Sequence, residues 1–257
     1  MSKRPRGITR RLSPARKVGM ESVHHGRLVP TVPVARSMNL AAVAAAREQA
    51  LPRPSWTAVF LRAYGLVARH CPELRQALMT WPYTRLYEHP HSTCALVVER
   101  EWQAETVLLA AKIRAPEDMS LATIQRCIRR FKEAPVRDIS EFRTALRLGR
   151  LPWFLRRFAI WQTLHVSGAK RAKRMGTFML SSYGGLGAEQ LHPIAPFTTL
   201  LTFGPISPAG DVVVKLIYDH RVLDGGRIAR CLHNLERVLH TEMVQELTCL
   251  GRSPQAA

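Results

Sequence analysis

Residues 28–36, LVPTVPVAR, alternate apolar and polar side chains, the period of a half-buried strand. Their two prolines place it at a sheet edge. Residues 39–50, NLAAVAAAREQA, switch to helix formers, with Asn39 as the expected cap. After LPRP, Ser55 is expected to cap a densely apolar, buried helix running to about His70. CPELRQALM predicts a third, short helix. STCALVVER and AETVLLAAKI predict two β-rich runs around a polar EWQ turn. From Ser120 to Glu133 the apolar spacing is near 3.6, and Pro135 ends that helix. Further helices are expected at 138–148 and after Pro152, over WFLRRFAIWQTLHV. The C-terminal third returns to strands in TFMLSSY, TTLLTFGPI and DVVVKLIYDHR. From Asp224 to Met243 one apolar stripe through Ile228, Cys231, Leu232, Leu235, Val238 and Leu239 predicts a helix. Elements thus come in runs and not in strict βαβ alternation, which predicts an α+β sandwich, a mixed sheet covered by helices.

The 257 residues suit a single domain with tails: a basic arm over 1–27, a domain over 28–245 and a flexible tail over 246–257. No run of about 18 apolar residues exists, so no transmembrane helix is expected. The start of the chain has no apolar leader. Its arginines superficially resemble a transit peptide, but prolines and a glycine oppose the amphipathic helix such peptides form. Five cysteines, with no C-x-x-C pair, argue against a disulfide framework or a zinc site, so no metal is expected and a reducing cytoplasm fits. The net charge of +19 is concentrated in two blocks. Residues 1–17 carry seven Lys or Arg and no acid, and residues 126–174 carry fourteen against three acids. The second block falls in a helical insert, about 119–174. Such blocks mark an anionic partner or a solvated surface.

The chemistry concentrates where a strand meets a helix, at 219–226, DHRVLDGG. A strand end holds a side chain firmly, and a neutral imidazole accepts a proton near pH 7. His220 is therefore a candidate base. Asp224 can cap the following helix, and Gly225 and Gly226 let the backbone pass close to a ligand. A histidine at a strand end is more often structural, and an aspartate at a helix start is most often only a cap.

The eight-residue string is more specific than its parts. DHRVLDGG resembles the DHR-x-x-DG signature of the catalytic core of the dihydrolipoyl acyltransferases of 2-oxoacid dehydrogenase complexes. Chloramphenicol acetyltransferase shares that fold and the H-x-x-x-DG core. FMLSSYGGLG, followed by HPIAP, is similar to the family's phenylalanine, serine segment and Pro-Ile element. LSPARKVGMES and SWTAVFLRAYGLVARHCPEL resemble its opening segment and its helix before a Pro-Glu-Leu turn. The resemblance implies a chloramphenicol acetyltransferase-like two-layer sandwich. It implies His220 as the general base on a thiol or hydroxyl acceptor, and Ser181 as the hydroxyl that hydrogen-bonds the oxyanion. Asp224 would hold the site through an ion pair. Ser182, the fallback hydroxyl, Arg221 and Gly225 would be substrate-binding positions. Coenzyme A would enter as the acyl-CoA substrate, and the family's trimers would put each site between two subunits.

No lipoyl attachment site precedes the core-like pattern, so a stand-alone member is expected. Its acceptor would be a lipoyl or carrier domain on another chain, or a small molecule. The basic insert reads as a solvated face, as an anion-steering face for acyl-CoA or an acidic carrier, or as a membrane-surface helix inserting Trp153, Phe154, Phe158 and Trp161. Nucleic-acid binding rests on charge alone, with no recognition motif. A catalytically idle scaffold of the same fold is the remaining alternative, which intact His220, Asp224 and Ser181 oppose.

Overall fold

The computed structural model describes residues 7–252. Six strands form the main sheet: β1 (Thr31–Asn39), β4 (Thr93–Trp102), β5 (Glu105–Arg114), β6 (Phe178–Leu180), β7 (Thr199–Phe203) and β8 (Asp211–Asp219). Their order is β1-β8-β7-β6-β4-β5. β6 is parallel to both β4 and β7, and every other pairing is antiparallel. The sheet is therefore mixed, as expected, and β1 with its Pro33 is an edge. β2 (Gln76–Met79) and β3 (Arg85–Glu88) make a separate antiparallel pair.

One face of the sheet holds the main core. α3 (Trp56–His70) lies on it because nine of its residues are buried, Phe60 and Tyr64 among the largest. Phe60 stacks on Phe203 at 4.2 Å and Tyr64 on Phe178 at 4.0 Å. The Tyr64 hydroxyl reaches Thr199 Oγ1 at 2.6 Å, so its polar end is satisfied in a dry core. α4 (Leu121–Glu133) and α8 (Gly225–Val238) complete this layer through single apolar stripes. Ser55 and Ser120 cap α3 and α4 as expected, accepting from Ala58 N–H and Thr123 N–H. The opposite face carries only a small cluster around Met179, Phe197, Leu200 and Ile217, and Leu108 lies open on it.

Within the basic arm, LSPARKVGMES could form part of an entry helix, and α1 (Pro14–Gly26) is that helix: Ser13 caps it and it packs on β5 and on α5 (Ser140–Arg150); residues 1–6 lie outside the described residues. Three expectations change. The tail is helical to Arg252. A π turn at Leu239–Met243 adds a residue to the helical period, shifting the stripe's phase before α9 (Val244–Arg252), which packs on α2 (Ala41–Gln49) and buries Leu247. CPELRQALM is not a helix. Pro72 opens one 3₁₀ turn, after which Ala77 and Met79 alternate inward on β2. Asn39 ends β1 instead of capping α2, though its Oδ1 still accepts from Ala41 N–H.

α6 (Trp153–His165) buries Ile160 and Leu164 but is inverted in its first two turns. Its inward side carries Arg156, bound to the buried Glu21 of α1 at 3.1 Å, while Arg157 holds the other Glu21 oxygen at 3.0 Å. Its outward side presents Trp153, Phe154, Leu155 and Phe158. Burial alone would raise the Glu21 pKa. Hydrogen bonds and charge from Arg157 and Arg156 outweigh that and hold its carboxyl below the usual range. A depressed folded pKa contributes stability above the unfolded value, and that stability is lost as pH falls through the folded one. Glu21→Gln is thus expected to cost about 3 kcal/mol at pH 7, by leaving Arg156 buried and unpaired. Urea unfolding from pH 7 to pH 3 should show this difference shrinking toward zero.

Candidate active site

β8 delivers Asp219 and His220 to one end of the sheet. Asp219 N–H bonds Thr198 O and His220 N–H bonds Pro30 O, so the chain stays extended through the histidine. It then turns: Val222 and Leu223 N–H both return to Asp219 O, and α8 begins. The buried Asp219 carboxylate fixes that turn. Arg221 grips it with Nε at 2.9 Å and Nη2 at 2.8 Å, and adds its backbone N–H at 3.0 Å. Arg171, buried in α7 (Gly168–Arg174), donates to Leu78 O, Leu164 O and Pro196 O. Burial pushes its guanidinium down to about 10, the Asp219 charge partly restores it, and it stays cationic at neutral pH. A buried acid gripped by Arg221, and felt electrostatically by Arg171, thus precedes the histidine. The family signature includes this aspartate, but the sequence reading gave it no role.

His220 is half exposed, its side chain 51% accessible, with its ring 5.4 Å from that of Tyr218. His165, in α6, is a poor rival as a base. Burial, and then the charges of Arg171, His25 and Arg221, push it down to about 4, and its Nδ1 meets Thr80 Oγ1 at 2.8 Å. Asp224 stands at the N-cap position of α8, but its side chain caps nothing. It is 91% accessible, with Oδ1 4.0 Å from His220 Nδ1. The cap expected of Asp224 is absent, and the ion pair that organises the junction belongs to Asp219 and Arg221. A Cβ on Gly225 would press on Tyr218 Oη at 3.3 Å, so that backbone does pass close to a neighbour, whereas one on Gly226 would meet only Arg230 at 3.8 Å.

Ser181 follows β6 directly, its N–H bonded to Leu201 O. It is buried, on the side of the sheet away from α3, and its hydroxyl has no hydrogen-bond partner among the described residues. Ser182 is committed instead to the backbone, donating to Phe203 O at 2.8 Å and accepting from Gly184 N–H at 3.1 Å. Register places Thr202 beside Ser181, and Thr202 Oγ1 is also buried without a partner. Lys215 lies opposite Thr202 on β8 and pairs with Glu189 at 2.5 Å. Neither Thr202 nor Lys215 was singled out in the sequence, where both read as ordinary strand positions.

Strand polarity separates the two candidates. Leu180 pairs with Leu201, and Leu201 with Leu216, so Ser181 sits level with Lys215. β8 runs the opposite way, and His220, just past its end, lies five residues beyond Lys215. The two side chains therefore lie at opposite ends of the sheet in one chain, roughly 16 Å apart along the strand direction alone.

The basic insert forms a groove of about 260 Å³ lined by Trp102, Arg137, Arg143, Arg147 and Arg150, with the Arg137 guanidinium 5.6 Å from the Trp102 ring. Its charge and aromatic face suit an anion.

This layered α+β architecture, with a mixed six-stranded sheet, is that of the catalytic domains of dihydrolipoamide acetyltransferases. Over 92% of this chain and 93% of the other, it superimposes on dihydrolipoamide acetyltransferase (E2p) of Azotobacter vinelandii with a TM-score of 0.67 at 19% identity. That enzyme's catalytic mechanism has been probed through a serine, a histidine and an asparagine four residues after the histidine. The chain similarly matches the cubic core of the pyruvate dehydrogenase multienzyme complex, with 92% and 93% coverage, a TM-score of 0.64 and 19% identity. It also matches a truncated catalytic core of the 2-oxoacid dehydrogenase multienzyme complex from Thermoplasma acidophilum, with 92% and 99% coverage, a TM-score of 0.64 and 15% identity. No family model and no curated protein matches the sequence.

The two serines separate in a stability measurement. Ser182→Ala should cost about 1–2 kcal/mol, because it strips a buried carbonyl and an amide of their partner. Ser181→Ala should change stability by less than about 0.5 kcal/mol. Urea unfolding of the two variants checks this, and the reverse order would reassign the free hydroxyl.

Proposed function

We propose that the protein transfers an acyl group between a CoA thioester and a thiol acceptor of dihydrolipoyl type, or a hydroxyl, at sites shared by two copies of the chain. The observation that carries this reading is the separation of His220 from Ser181. Both side chains are unspent, both match the family signature, and one chain cannot bring them together. A closed ring of copies, each offering its Ser181 end to the His220 end of the next, would complete every site. Trimers in the manner of the multienzyme cores fit this reading.

In such a site His220 takes the proton from the acceptor S–H or O–H. The freed lone pair attacks the thioester carbonyl, and the carbonyl π electrons move onto oxygen. Ser181 donates its O–H to that oxyanion, with Thr202 alongside. Collapse re-forms the carbonyl, breaks the C–S bond, and the CoA thiolate takes the proton back from His220. Asp219 with Arg221 keeps the base in place, while Asp224, four residues after His220 as the Azotobacter asparagine is four after its histidine, lies near the imidazole. The basic groove beside Trp102 is suited to steer the phosphates of CoA or an acidic carrier domain.

CoA release from acetyl-CoA in the presence of dihydrolipoamide tests the reaction. His220→Ala should lower kcat by about 10²–10⁴, and Ser181→Ala by about 10². Co-expression of the two inactive variants tests the shared site. Random mixing in a ring rebuilds about a quarter of the sites, each with one intact His220 and one intact Ser181. Mixed assemblies no more active than the parents would reject the intersubunit site, and an unchanged His220→Ala rate would reject the base.

A second reading, compatible with the first, rests on α6. Trp153, Phe154, Leu155 and Phe158 form an exposed apolar surface that continues through Trp161 to Trp81 and is flanked by Arg157, Arg150 and Arg85. A second copy would bring the same positive charges to this patch, whereas an anionic bilayer complements both its aromatics and its arginines. No helix among the described residues is long and apolar enough to cross a membrane, so contact would be interfacial. Vesicles containing phosphatidylserine should float the protein, Phe154→Asp with Phe158→Asp should abolish flotation, and failure of the unmodified chain to float removes this reading.

A further inference from the structure

We infer a binding site for a divalent transition-metal cation at the junction between the exit of β5 and the approach to β4, formed by His91, Glu117 and Asp118. A ring nitrogen of His91 and one carboxylate oxygen from each acid lie within 4.8 Å of one another. The chain builds this cluster through a tight reversal. Ala115 adopts a left-handed backbone, φ 46°, just after β5, and its N–H bonds Ser92 O at 2.8 Å. That places the short turn Pro116–Asp118 against His91 and Ser92.

The two carboxylates are each half used. Glu117 is only 5% exposed. Its Oε1 accepts from Ser92 N–H at 2.7 Å, while Oε2 is buried without a partner among the described residues. Asp118 Oδ1 is held by Arg69 Nη2 at 2.5 Å, and Oδ2 faces His91 Nδ1 at 3.7 Å. Each acid thus has one oxygen fixed by the protein and one without a donor or facing His91: Glu117 Oε2 is unpartnered and Asp118 Oδ2 faces the imidazole. Arg69 and Arg62 also donate to the carbonyl of Glu117, which pins the turn from behind. An outer layer of this kind orients ligands before the ion arrives.

A buried carboxylate oxygen with no donor is costly, and a cation is the simplest group that removes the cost. One imidazole and two carboxylates form a mixed nitrogen and oxygen set. That set suits Mn²⁺, Fe²⁺, Co²⁺ or Zn²⁺, whereas Ca²⁺ and Mg²⁺ favour all-oxygen shells. The cysteine pattern of the chain argues only against a thiolate site, and this one has no sulfur. His91 is exposed, which leaves an approach open to solvent. The ion would clamp the exit of β5 to the start of β4, with two strands, β6 and β7, between β4 and the β8 strand that leads to His220.

Untagged protein stripped with EDTA and titrated calorimetrically with Mn²⁺, which has little affinity for thiols, tests the site. One ion per chain and a rise in Tm are expected. His91→Ala, a surface change that leaves the fold intact, and Glu117→Gln, which keeps an acceptor for Ser92 N–H, should each weaken binding at least about tenfold. Absence of saturable Mn²⁺ binding overturns the inference, and so does affinity unchanged in both variants. A parallel Zn²⁺ titration whose binding survives both substitutions, but not thiol alkylation, places that ion on cysteine and likewise counts against the site.

Discussion

β8 runs antiparallel to β7, and β7 parallel to β6, and the placement of every candidate reacting group follows from that polarity. It sends His220 to one end of the sheet and Ser181 to the other, a separation no side-chain rotation can close. The polarity is enforced by the core. Phe178, Leu201, Phe203, Leu216 and Tyr218 all face α3 and α8, and shifting any one strand by a residue would turn its apolar set outward. The serine and Thr202 are thereby left on the thinly covered face, where one chain offers their hydroxyls nothing to bond. Of the two, Thr202 Oγ1 is fully buried without a partner among the described residues, a cost that a ligand or a second copy would remove.

The histidine end is built on a different principle. Its stability comes from charge held inside: Arg221 pairs with Asp219, the buried Arg171 feels the same carboxylate, and both arginines help push His165 toward its neutral form. α1 and α6 repeat this solution with Glu21, Arg156 and Arg157. In both places arginine is the cation, as its planar fork allows several bonds to one carboxylate and to main-chain carbonyls. Spending buried charge on α6 frees its other side from packing duty, which is why four large apolar side chains can stand in solvent there. Much of the +19 charge is therefore not a diffuse surface property. Some of it is structural, some lines the groove beside Trp102, and some borders the α6 patch.

Long periodic segments were legible in the sequence: α3, α4, α8 and the β4–β5 hairpin follow their apolar spacing, and Ser55 and Ser120 cap where cap chemistry says they should. Short or phase-shifted pieces were not. β2 and β3 have four residues each, too few for a period, and the π turn at Leu239–Met243 hid α9 by breaking its stripe. At the candidate site the string DHRVLDGG pointed to a junction whose internal organisation only the fold shows. Spacing made Asp224 a cap, whereas tertiary burial makes Asp219 the anchor, and only the folded chain reveals that Arg171, forty-eight residues earlier, lies close to it. Which of two adjacent serines keeps a free hydroxyl was likewise beyond sequence, because it depends on Phe203 O presenting itself to Ser182.

These features bear on how a shared site would gain its power. In the isolated chain His220 and Asp224 are open to water, where a 4.0 Å approach between them carries little energy. A neighbouring copy covering the junction with its Ser181 end would expel that water. The same approach would then act in a medium of lower dielectric, and a hydrogen bond from Ser181 to a developing oxyanion would no longer compete with solvent. Assembly would in this way both bring the two groups together and strengthen what each can do. A chain with all its candidate side chains intact would still be a poor catalyst alone, and the exposure of Asp224 in the monomer is consistent with a role that begins only when the ring closes.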